Sequence, residues 1–339
     1  MLYVTTRNKI DSFTAYKVLR DGFAADGGQF LPILMPQYTH QQIQQMLELP
    51  FCDVVADVLN AFFNAKLMGR DVEFAVGKRP VRFAAIGRKI MIAEFWHNTD
   101  HSLDCAMDRI YRRLCMQDLQ CSTPKGWALI AIRIALLFGV FAQLHQEQIS
   151  VEDVAITGPD LDAMMAAWYA RAMGLPIGLI VCGINENRGF WDLLNKGQMD
   201  VSAAVVHTNT PLLDQSMPSG VERLIYETLG REETLVYLHQ AENKGIYRVP
   251  QENREQLGQG IVCSVIGENR VMDLVNSVYH TNHYFIDPYM AISFGALQDH
   301  RSKTGENRMT LIFSDSAPSQ YAKLISSATG VPGEDIKNN

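Results

Sequence analysis

The sequence predicts an α/β protein in which a small helical N-terminal domain precedes a mostly parallel sheet flanked by helices. Two observations carry this prediction. Up to residue 80 the apolar residues recur at helical spacing, and after residue 150 short apolar runs alternate with amphipathic segments, as in βα units. The 339 residues are enough for two domains. We expect an N-terminal domain at 1–80, a larger domain at 81–330 and a flexible tail at 331–339.

Helices dominate the predicted N-terminal domain. Ser12 is a candidate N-cap for a first helix that ends at Gly22. Thr39 is a candidate N-cap for the next helix, and the apolar spacing that follows predicts a broad buried helix face up to Phe63.

The middle of the chain begins with two apolar runs in residues 81–95 that flank Gly87-Arg88, which predicts a hairpin or a bent pair of strands. A polar turn follows, and a helix is expected from Leu103 onward. Residues 116–126 contain proline and glycine among polar side chains, so they predict a loop.

The segment 127–144 is nearly all apolar and is long enough to raise the question of a membrane span of about 20 residues. Arg133 lies inside it, and no charged flanks set an orientation. A helix that is apolar on every side is also typical of a protein core. Because one arginine costs about 2.5 kcal/mol or more at a bilayer centre, we favour a buried core helix and no membrane association.

From residue 150 the chain alternates between strands and helices, which favours a largely parallel sheet. The predicted strands are 154–158, 177–183, 261–266 and 309–313. The predicted helices are 160–173, 190–194, 221–229, 270–279, 288–297 and 318–327. Ser219 and Glu222 have the spacing of a capping box at the start of the third of these helices.

Composition argues against several functions. The formal net charge is -7 and lysine and arginine form no cluster, so no nucleic-acid-binding face is predicted. The six cysteines form no CxxC pair, which favours reduced thiols over disulfides or a zinc site. The first residues lack the apolar core of a signal peptide. We therefore expect a cytoplasmic protein.

One polar turn concentrates ionisable side chains beside an apolar strand: His97, Asp100, His101 and Asp104. In α/β proteins, ligands bind where strands end and helices begin. A helix starting near Asn98 would place all four side chains on one face, where they could hold a divalent metal. The alternative needs no ligand: Asp100 caps the helix, His97 packs under the turn and Asp104 lies in a solvated pocket. We favour this alternative, because helix caps are common.

Several segments match one family in the same order along the chain. They are SFTAYKVLRDGFAADGGQFLP at 12–32, AEFWH at 93–97, residues 154–187, SGVERLIYETLG at 219–230 and YFIDPYMAISFGAL at 284–297. These segments resemble the threonine synthases, which are fold-type-II enzymes that use pyridoxal phosphate (PLP). The resemblance implies a PLP fold like that of the tryptophan synthase β subunit. The activity it implies is that of a PLP-dependent carbon–oxygen lyase acting on a phosphate ester.

The resemblance also identifies what this chain lacks. Counted from the shared Trp96-His97, the family's Schiff-base lysine falls on Asp104, and no lysine occurs between Lys89 and Lys125. An aspartate cannot replace the primary amine that a Schiff base requires.

The phosphate-binding turn departs from the family as well. The family's TGNFG, whose backbone amides cradle the cofactor phosphate, reads TGPDL at 157–161. Pro159 has no N–H, and Asp160 and Asp162 add negative charge, so both changes oppose phosphate binding. The loop 116–126 also stands where the family has most of a small substrate-closing domain.

These departures predict a threonine-synthase-like protein that has lost PLP catalysis and acts by binding, with no cofactor expected. The residues that remain of the family's pocket are His97, Asp104, Thr157, Gly158, Asn185, Glu186, Asn187, Asp315 and Ser316. For Asn185-Glu186-Asn187 we favour a self-bonded turn over a ligand contact, and Asp315-Ser316 can serve as an N-cap for the last helix.

Two enzymatic alternatives stay open: residual PLP-dependent lyase activity, and a metal-assisted reaction at the acidic cluster. A purely structural interaction module is a third reading. The bound molecule would be a small ligand or another protein, such as a homologous enzyme. Loss of a domain uncovers apolar surface, so a homo-oligomer or a hetero-complex is expected.

Overall fold

The computed structural model describes residues 1–8, 10–78, 80–97, 102–115 and 123–336. Two compact units make up the chain. The helical unit contains Met1–Arg82, Phe95–Ser150 and Met165–Ile177, and the sheet unit contains Phe83–Glu94, Val151–Met164 and Gly178–Asn339.

The helical unit opens with a small antiparallel sheet in the order β2-β1-β3. Its strands are β1 (Leu2–Thr5), β2 (Phe13–Thr14) and β3 (Phe30–Pro32). Its helices are α1 (Ala15–Asp21), α2 (His40–Leu47), α3 (Phe51–Phe63), α4 (Gly69–Val76), α5 (Leu103–Leu114) and α6 (Trp127–Gln146).

Two helix caps in this unit test the sequence predictions. Thr39 caps α2 as predicted, in a capping box with Gln42. The prediction of Ser12 as the cap of α1 is wrong, because the cap is Thr14, whose hydroxyl accepts the N–H of Lys17 at 3.4 Å. The chain pairs with β1 through Phe13 and Thr14, so it stays extended until Thr14 and the helix begins later.

Helix α6 is the core of the helical unit. It is long and apolar enough to cross a membrane, but 89% of its most apolar window is buried inside the protein. It packs closely on α3, where Gly139 lies against Phe51 and Val55. Even Arg133 is only 8% exposed. This burial is what a core helix requires, in agreement with the favoured interpretation.

The sheet unit contains six strands in the order β10-β7-β6-β11-β5-β4. They are β4 (Arg82–Ile86), β5 (Ile90–Glu94), β6 (Asp153–Ile156), β7 (Ile180–Ile184), β10 (Ile261–Val265) and β11 (Thr310–Ser314). The five strands β10, β7, β6, β11 and β5 run parallel to one another. The predicted α/β fold with a mostly parallel sheet is confirmed. The remaining short pair is β8 (Gln198–Asp200) with β9 (Ile246–Arg248).

Helices follow the strands, and the two at 231–244 and 251–257 were not predicted from the sequence. The helices are α7 (Asp162–Ala172), α8 (Gly189–Lys196), α9 (Ser219–Leu229), α10 (Arg231–Lys244), α11 (Gln251–Leu257), α12 (Glu268–Asn282), α13 (Pro288–Thr304) and α14 (Ala322–Thr329). One face of the sheet packs on α13, so that Val181 of β7 and Ile292 of α13 share one buried apolar cluster.

Two predicted caps in the sheet unit are wrong. Ser219 is the first residue of α9 and not its N-cap, because the helix starts directly after Pro218, which takes the N-cap position. Asp315 and Ser316 do not cap α14, because a 3-10 turn at Pro318–Tyr321 separates them from that helix.

Candidate functional site

The carboxyl edge of the parallel sheet is the candidate site of the sheet unit. Parallel strands end at the same edge, so β6, β7 and β11 bring Thr157, Asn185 and Asp315 to it. This edge is where α/β proteins of this kind bind ligands. The sequence-predicted residues that follow these strands therefore lie at one edge of the sheet.

The turn after β6 has an unusual backbone. Asp160 and Leu161 both have positive φ, at 54° and 58°, in the left-handed region that costs a residue with a side chain about 1–2 kcal/mol. Leu161 stands where the resembled TGNFG motif ends in glycine. The chain keeps a backbone suited to glycine after the glycine itself has been replaced.

The polar groups of this turn are used within the protein. The hydroxyl of Thr157 donates to the carbonyl of Gly183 at 2.6 Å. The carboxylate of Asp160 accepts the backbone N–H of Ser219 at 3.1 Å, at the first residue of α9. A helix N-terminus favours a negative group, and here a side chain of the protein provides it.

These residues do not fit a phosphate group. Pro159 has no N–H to donate, and the Asp160 carboxylate accepts an amide at the neighbouring helix start. A phosphate dianion placed at this turn would meet the Asp160 carboxylate, which repels it, whereas the family motif has no acidic residue and offers its backbone N–H groups.

Asn185 is the centre of a hydrogen-bond network at the end of β7. Its side-chain amide donates to the hydroxyls of Thr208 and Thr210 and, at 2.7 Å, to the carboxylate of Asp214. Asn185 is 1% exposed and the side chain of Asp214 is 6% exposed. Buried polar groups that are satisfied in this way fix a single conformation. Sequence analysis missed Asp214, because a lone loop aspartate carries no local signal.

The neighbouring Asn187 tests the predicted turn. Its backbone N–H donates to the side-chain oxygen of Asn185 at 3.0 Å, which is the self-bonded turn that we favoured. Its own side chain bonds both the N–H and the carbonyl of Val206. The segment therefore ties the loop at 206–214 to the end of β7.

Glu186 extends the same connections to the start of α12. Its carboxylate accepts the N–H of Glu268 at the start of α12, and the carboxylate of Glu268 accepts the N–H of Asn209 at 3.1 Å. Glu186 and Asn187 also line a cavity of about 170 Å³, together with residues of the exposed apolar run 203–206.

Asp287 is a buried carboxyl group inside the segment 284–297 that resembles the family, and the sequence analysis did not single it out. It is the N-cap of α13 and accepts the N–H groups of Tyr289 and Met290 at 2.8 and 2.9 Å. Burial raises its pKa to about 7, and the nearby Asp315 carboxylate acts in the same direction. Asp287 therefore exchanges a proton near neutral pH.

A second buried carboxyl lies at the end of β5. Glu94 is fully buried and accepts a hydrogen bond from the hydroxyl of Tyr284. Glu94 and Asp287 thus place two buried carboxyl groups at this edge, which composition alone did not indicate.

The polar turn that the sequence singled out belongs to the helical unit. Helix α5 begins only at Leu103, and its N-cap is Ser102, whose hydroxyl accepts the N–H of Cys105 at 3.3 Å. The prediction that Asp100 provides this cap is wrong. Because Ser102 has extended backbone angles, no helix runs through it from Asn98, and the argument for one shared face fails.

Of the four ionisable residues predicted in that turn, His97 and Asp104 are among the described residues. His97 is exposed and its ring lies against Trp96, with 3.8 Å between ring centroids, so it is not packed under the turn. Asp104 is exposed in the first turn of α5. Asp100 and His101 lie outside the described residues. Within the described ranges, no group of three or more His, Cys, Asp or Glu side chains has the arrangement of a metal site.

Comparisons with known proteins identify similar chains. The family described as "Threonine synthase N terminus" matches residues 2–78. Threonine synthase-like 1 from Macaca fascicularis is 28% identical over 144 residues, which are 42% of this chain but only 19% of that relative's length. Threonine synthase-like 2 from Xenopus laevis is 19% identical over 395 residues, covering 86% of this chain and 83% of the relative.

Solved structures show the same fold. The PLP-bound threonine synthase from Brucella melitensis superposes with a TM-score of 0.85 at 17% identity, covering 98% of this chain and 92% of that one.

Proposed function

Because the chain belongs to the threonine synthase family, we propose that it keeps the fold of this PLP-dependent family without its cofactor chemistry and acts by binding another molecule. The observation that carries the proposal is the hydrogen bond between Asp160 and the N–H of Ser219. A carboxylate of the protein occupies a helix N-terminus beside the turn that matches the family's phosphate cradle.

The position of the Schiff-base lysine supports the proposal independently. The motif that carries the lysine in the family places Asp104 there, and a carboxylate forms no Schiff base. Loss of the lysine alone would leave a protein that still binds PLP noncovalently. Loss of the lysine together with the phosphate cradle removes both attachments of the cofactor.

A binding role is supported by the well-formed structure of the site. The network around Asn185 and Asp214 is fully formed, and a cavity of about 170 Å³ lies beside Asn187. The occupant we propose is a small ligand at this edge of the sheet or a protein partner such as a homologous enzyme.

The first experiment is a titration of the full chain with PLP, followed by absorbance and then by borohydride reduction. We expect no Schiff-base band and no covalent pyridoxyl adduct. The matched variant is Asp104→Lys combined with Pro159→Asn, Asp160→Phe and Leu161→Gly, which restores both family motifs. Asp104→Lys alone is the control, because it provides an amine without the phosphate cradle.

The expected result is a borohydride-sensitive band in the fourfold variant that is stronger than in Asp104→Lys. A reducible band in the unaltered protein would contradict the proposal directly. It would instead support the residual lyase activity that the sequence left open.

The second experiment identifies what is bound. Native mass spectrometry of the untagged chain reports small ligands, metals and oligomers in one measurement. We expect a retained small molecule, a dimer or a co-purifying protein. A bare monomer, with no thermal shift on adding candidate ligands, would contradict a binding role.

A further inference from the structure

Two cysteines face each other across neighbouring strands of the sheet unit. Cys182 of β7 and Cys263 of β10 are register partners in a parallel pair. The two thiols lie close enough to hydrogen-bond. Both are free cysteines, Cys182 fully buried and Cys263 partly exposed.

The strand geometry allows a disulfide between these two sulfurs, although a strained one. Neighbouring strands lie about 4.8 Å apart, and register partners point to the same face of the sheet. A disulfide tolerates Cα separations of about 4.4–6.8 Å but prefers closer Cβ atoms than parallel strands normally present. The pair is therefore near enough to be joined, with strain that makes the bond easy to reduce.

The resting state of the pair is the dithiol. Burial raises the pKa of the Cys263 thiol well above its ordinary value, and the neighbouring Cys182 acts in the same direction. A protonated thiol is a poor nucleophile, so the pair withstands neutral conditions and reacts faster as the pH rises.

We propose that Cys182 and Cys263 are a redox-active pair that forms a reversible disulfide between β7 and β10 when hydrogen peroxide oxidises it. The thiolate of Cys263, the more accessible of the two, attacks one peroxide oxygen. The O–O bond breaks, leaving a sulfenic acid on Cys263 and a hydroxide that takes up a proton as water. The Cys182 sulfur then attacks the Cys263 sulfur and displaces the sulfenic oxygen as a second water.

The disulfide would act on the candidate site, because both strands lead directly into it. Asn185 follows Cys182 by three residues, and Glu268 follows Cys263 by five. Glu268 links Glu186 to Asn209 through its N–H and its carboxylate. Drawing the two strands together changes the spacing of these partners, so oxidation loosens the loop at 206–214. This inference does not depend on whether the protein binds PLP.

The test is oxidation of the native full chain with hydrogen peroxide in mildly alkaline buffer, followed by alkylation and peptide mass analysis. We expect a peptide pair joined through Cys182 and Cys263 that dithiothreitol separates again. Cys263→Ser should abolish the joined pair. Cys52→Ser, which removes a buried thiol in the helical unit, should leave it unchanged.

Hydrogen exchange on the same samples tests the consequence. The amides of Thr208 and Asn209 should exchange several-fold faster in the oxidised protein and recover on reduction. If Cys182 and Cys263 are alkylated separately after peroxide treatment, or overoxidised without becoming joined, the pair is not redox-active. If they are joined and the amide exchange does not change, the proposed coupling to the loop is wrong.

Discussion

The carboxylate of Asp160 accepts the backbone N–H of Ser219 at 3.1 Å, joining the turn after β6 to the start of α9. The bond stabilises a turn in which two consecutive residues, Asp160 and Leu161, have left-handed backbone. Asp160 has a φ of 54°, and aspartate and asparagine enter this region more readily than other residues with side chains. The side chain of Asp160 therefore makes the left-handed backbone tolerable, and its carboxylate also stabilises the N-terminus of α9.

This relationship predicts different effects for two substitutions at one position. Asp160→Ala loses the bond to Ser219 and keeps a Cβ in left-handed backbone, so the free energy of unfolding should fall by about 1–2 kcal/mol. Asp160→Asn keeps an acceptor oxygen and tolerates the backbone, so its loss should stay under about 0.5 kcal/mol. Urea denaturation with an unchanged m value measures both. Equal losses in the two variants would show that the bond contributes nothing.

The buried network predicts coupling between Asn185 and Asp214. Removing either side chain leaves buried partners unsatisfied, so Asn185→Ala and Asp214→Ala should each lower the free energy of unfolding by about 1–3 kcal/mol. The double variant should lose less than the sum, with a coupling of about 0.5–3 kcal/mol, because the two share one bond at 2.7 Å.

The control for this cycle is an exposed asparagine with no partner in common. Asn243→Ala on α10 removes only a bond to the carbonyl of His239, so it should add to Asn185→Ala within about 0.5 kcal/mol. Strict additivity of Asn185→Ala and Asp214→Ala would mean that their bond carries no stability.

The sequence predicted the sheet well and the site only in part, for physical reasons. β-branched runs such as those of β7 and β11 mark buried strands by themselves, and parallel strands then bring Thr157 and Asn185 to one edge. The partners of those residues come from distant parts of the chain. The bond between Asp160 and Ser219 spans 59 positions, and no local pattern encodes it.

The errors have a similar origin. The spacing of Ser219 and Glu222 matches the capping-box rule, which makes Ser219 the N-cap. In the structure the N-cap is Pro218, one residue earlier, and Ser219 is already the first residue of the helix. Helix α10 was not predicted, because most of its side chains are polar and few are buried. Its stability as a helix comes from packing against its neighbours α9 and β9, which the local sequence does not reveal.

Asp287 predicts a pH-dependent difference between the protein and Asp287→Asn. Burial raises its pKa to about 7 from an unfolded value near 4, so the folded state binds the proton more tightly than the unfolded state does. The stability that this proton provides is complete below about pH 4 and is lost as the pH rises towards 7. Asparagine keeps the N-cap bonds and has no proton to lose.

Asp287→Asn should therefore gain stability relative to the unaltered protein between about pH 4 and 7, by up to about 4 kcal/mol, and the gain should level off above pH 7. Urea denaturation at a series of pH values measures this difference in the free energy of unfolding. The contributions of the other titrating groups are common to both proteins and cancel. A difference that stays constant over the whole range would contradict the buried, protonated carboxyl.

The close packing of α6 on α3 makes Gly139 a sensitive test of the core-helix interpretation. A Cβ at Gly139 would lie 2.8 Å from both Phe51 and Val55, closer than carbon atoms can approach. Alanine favours an isolated helix over glycine by about 1 kcal/mol. Overpacking a rigid core costs about 1–3 kcal/mol, so the clash should prevail and Gly139→Ala should lower the free energy of unfolding.

The matched control is Gly258→Ala at the end of α11. A Cβ there meets its nearest neighbour at 3.5 Å, an ordinary contact, and the backbone is already right-handed. Gly258→Ala should therefore be neutral or stabilise by up to about 1 kcal/mol, since alanine reduces the freedom of the unfolded chain. Urea denaturation of the two variants compares them directly. If Gly139→Ala proved as stable as Gly258→Ala, the gain in helix propensity would exceed the cost of the clash. The close packing of α6 on α3 would then be contradicted.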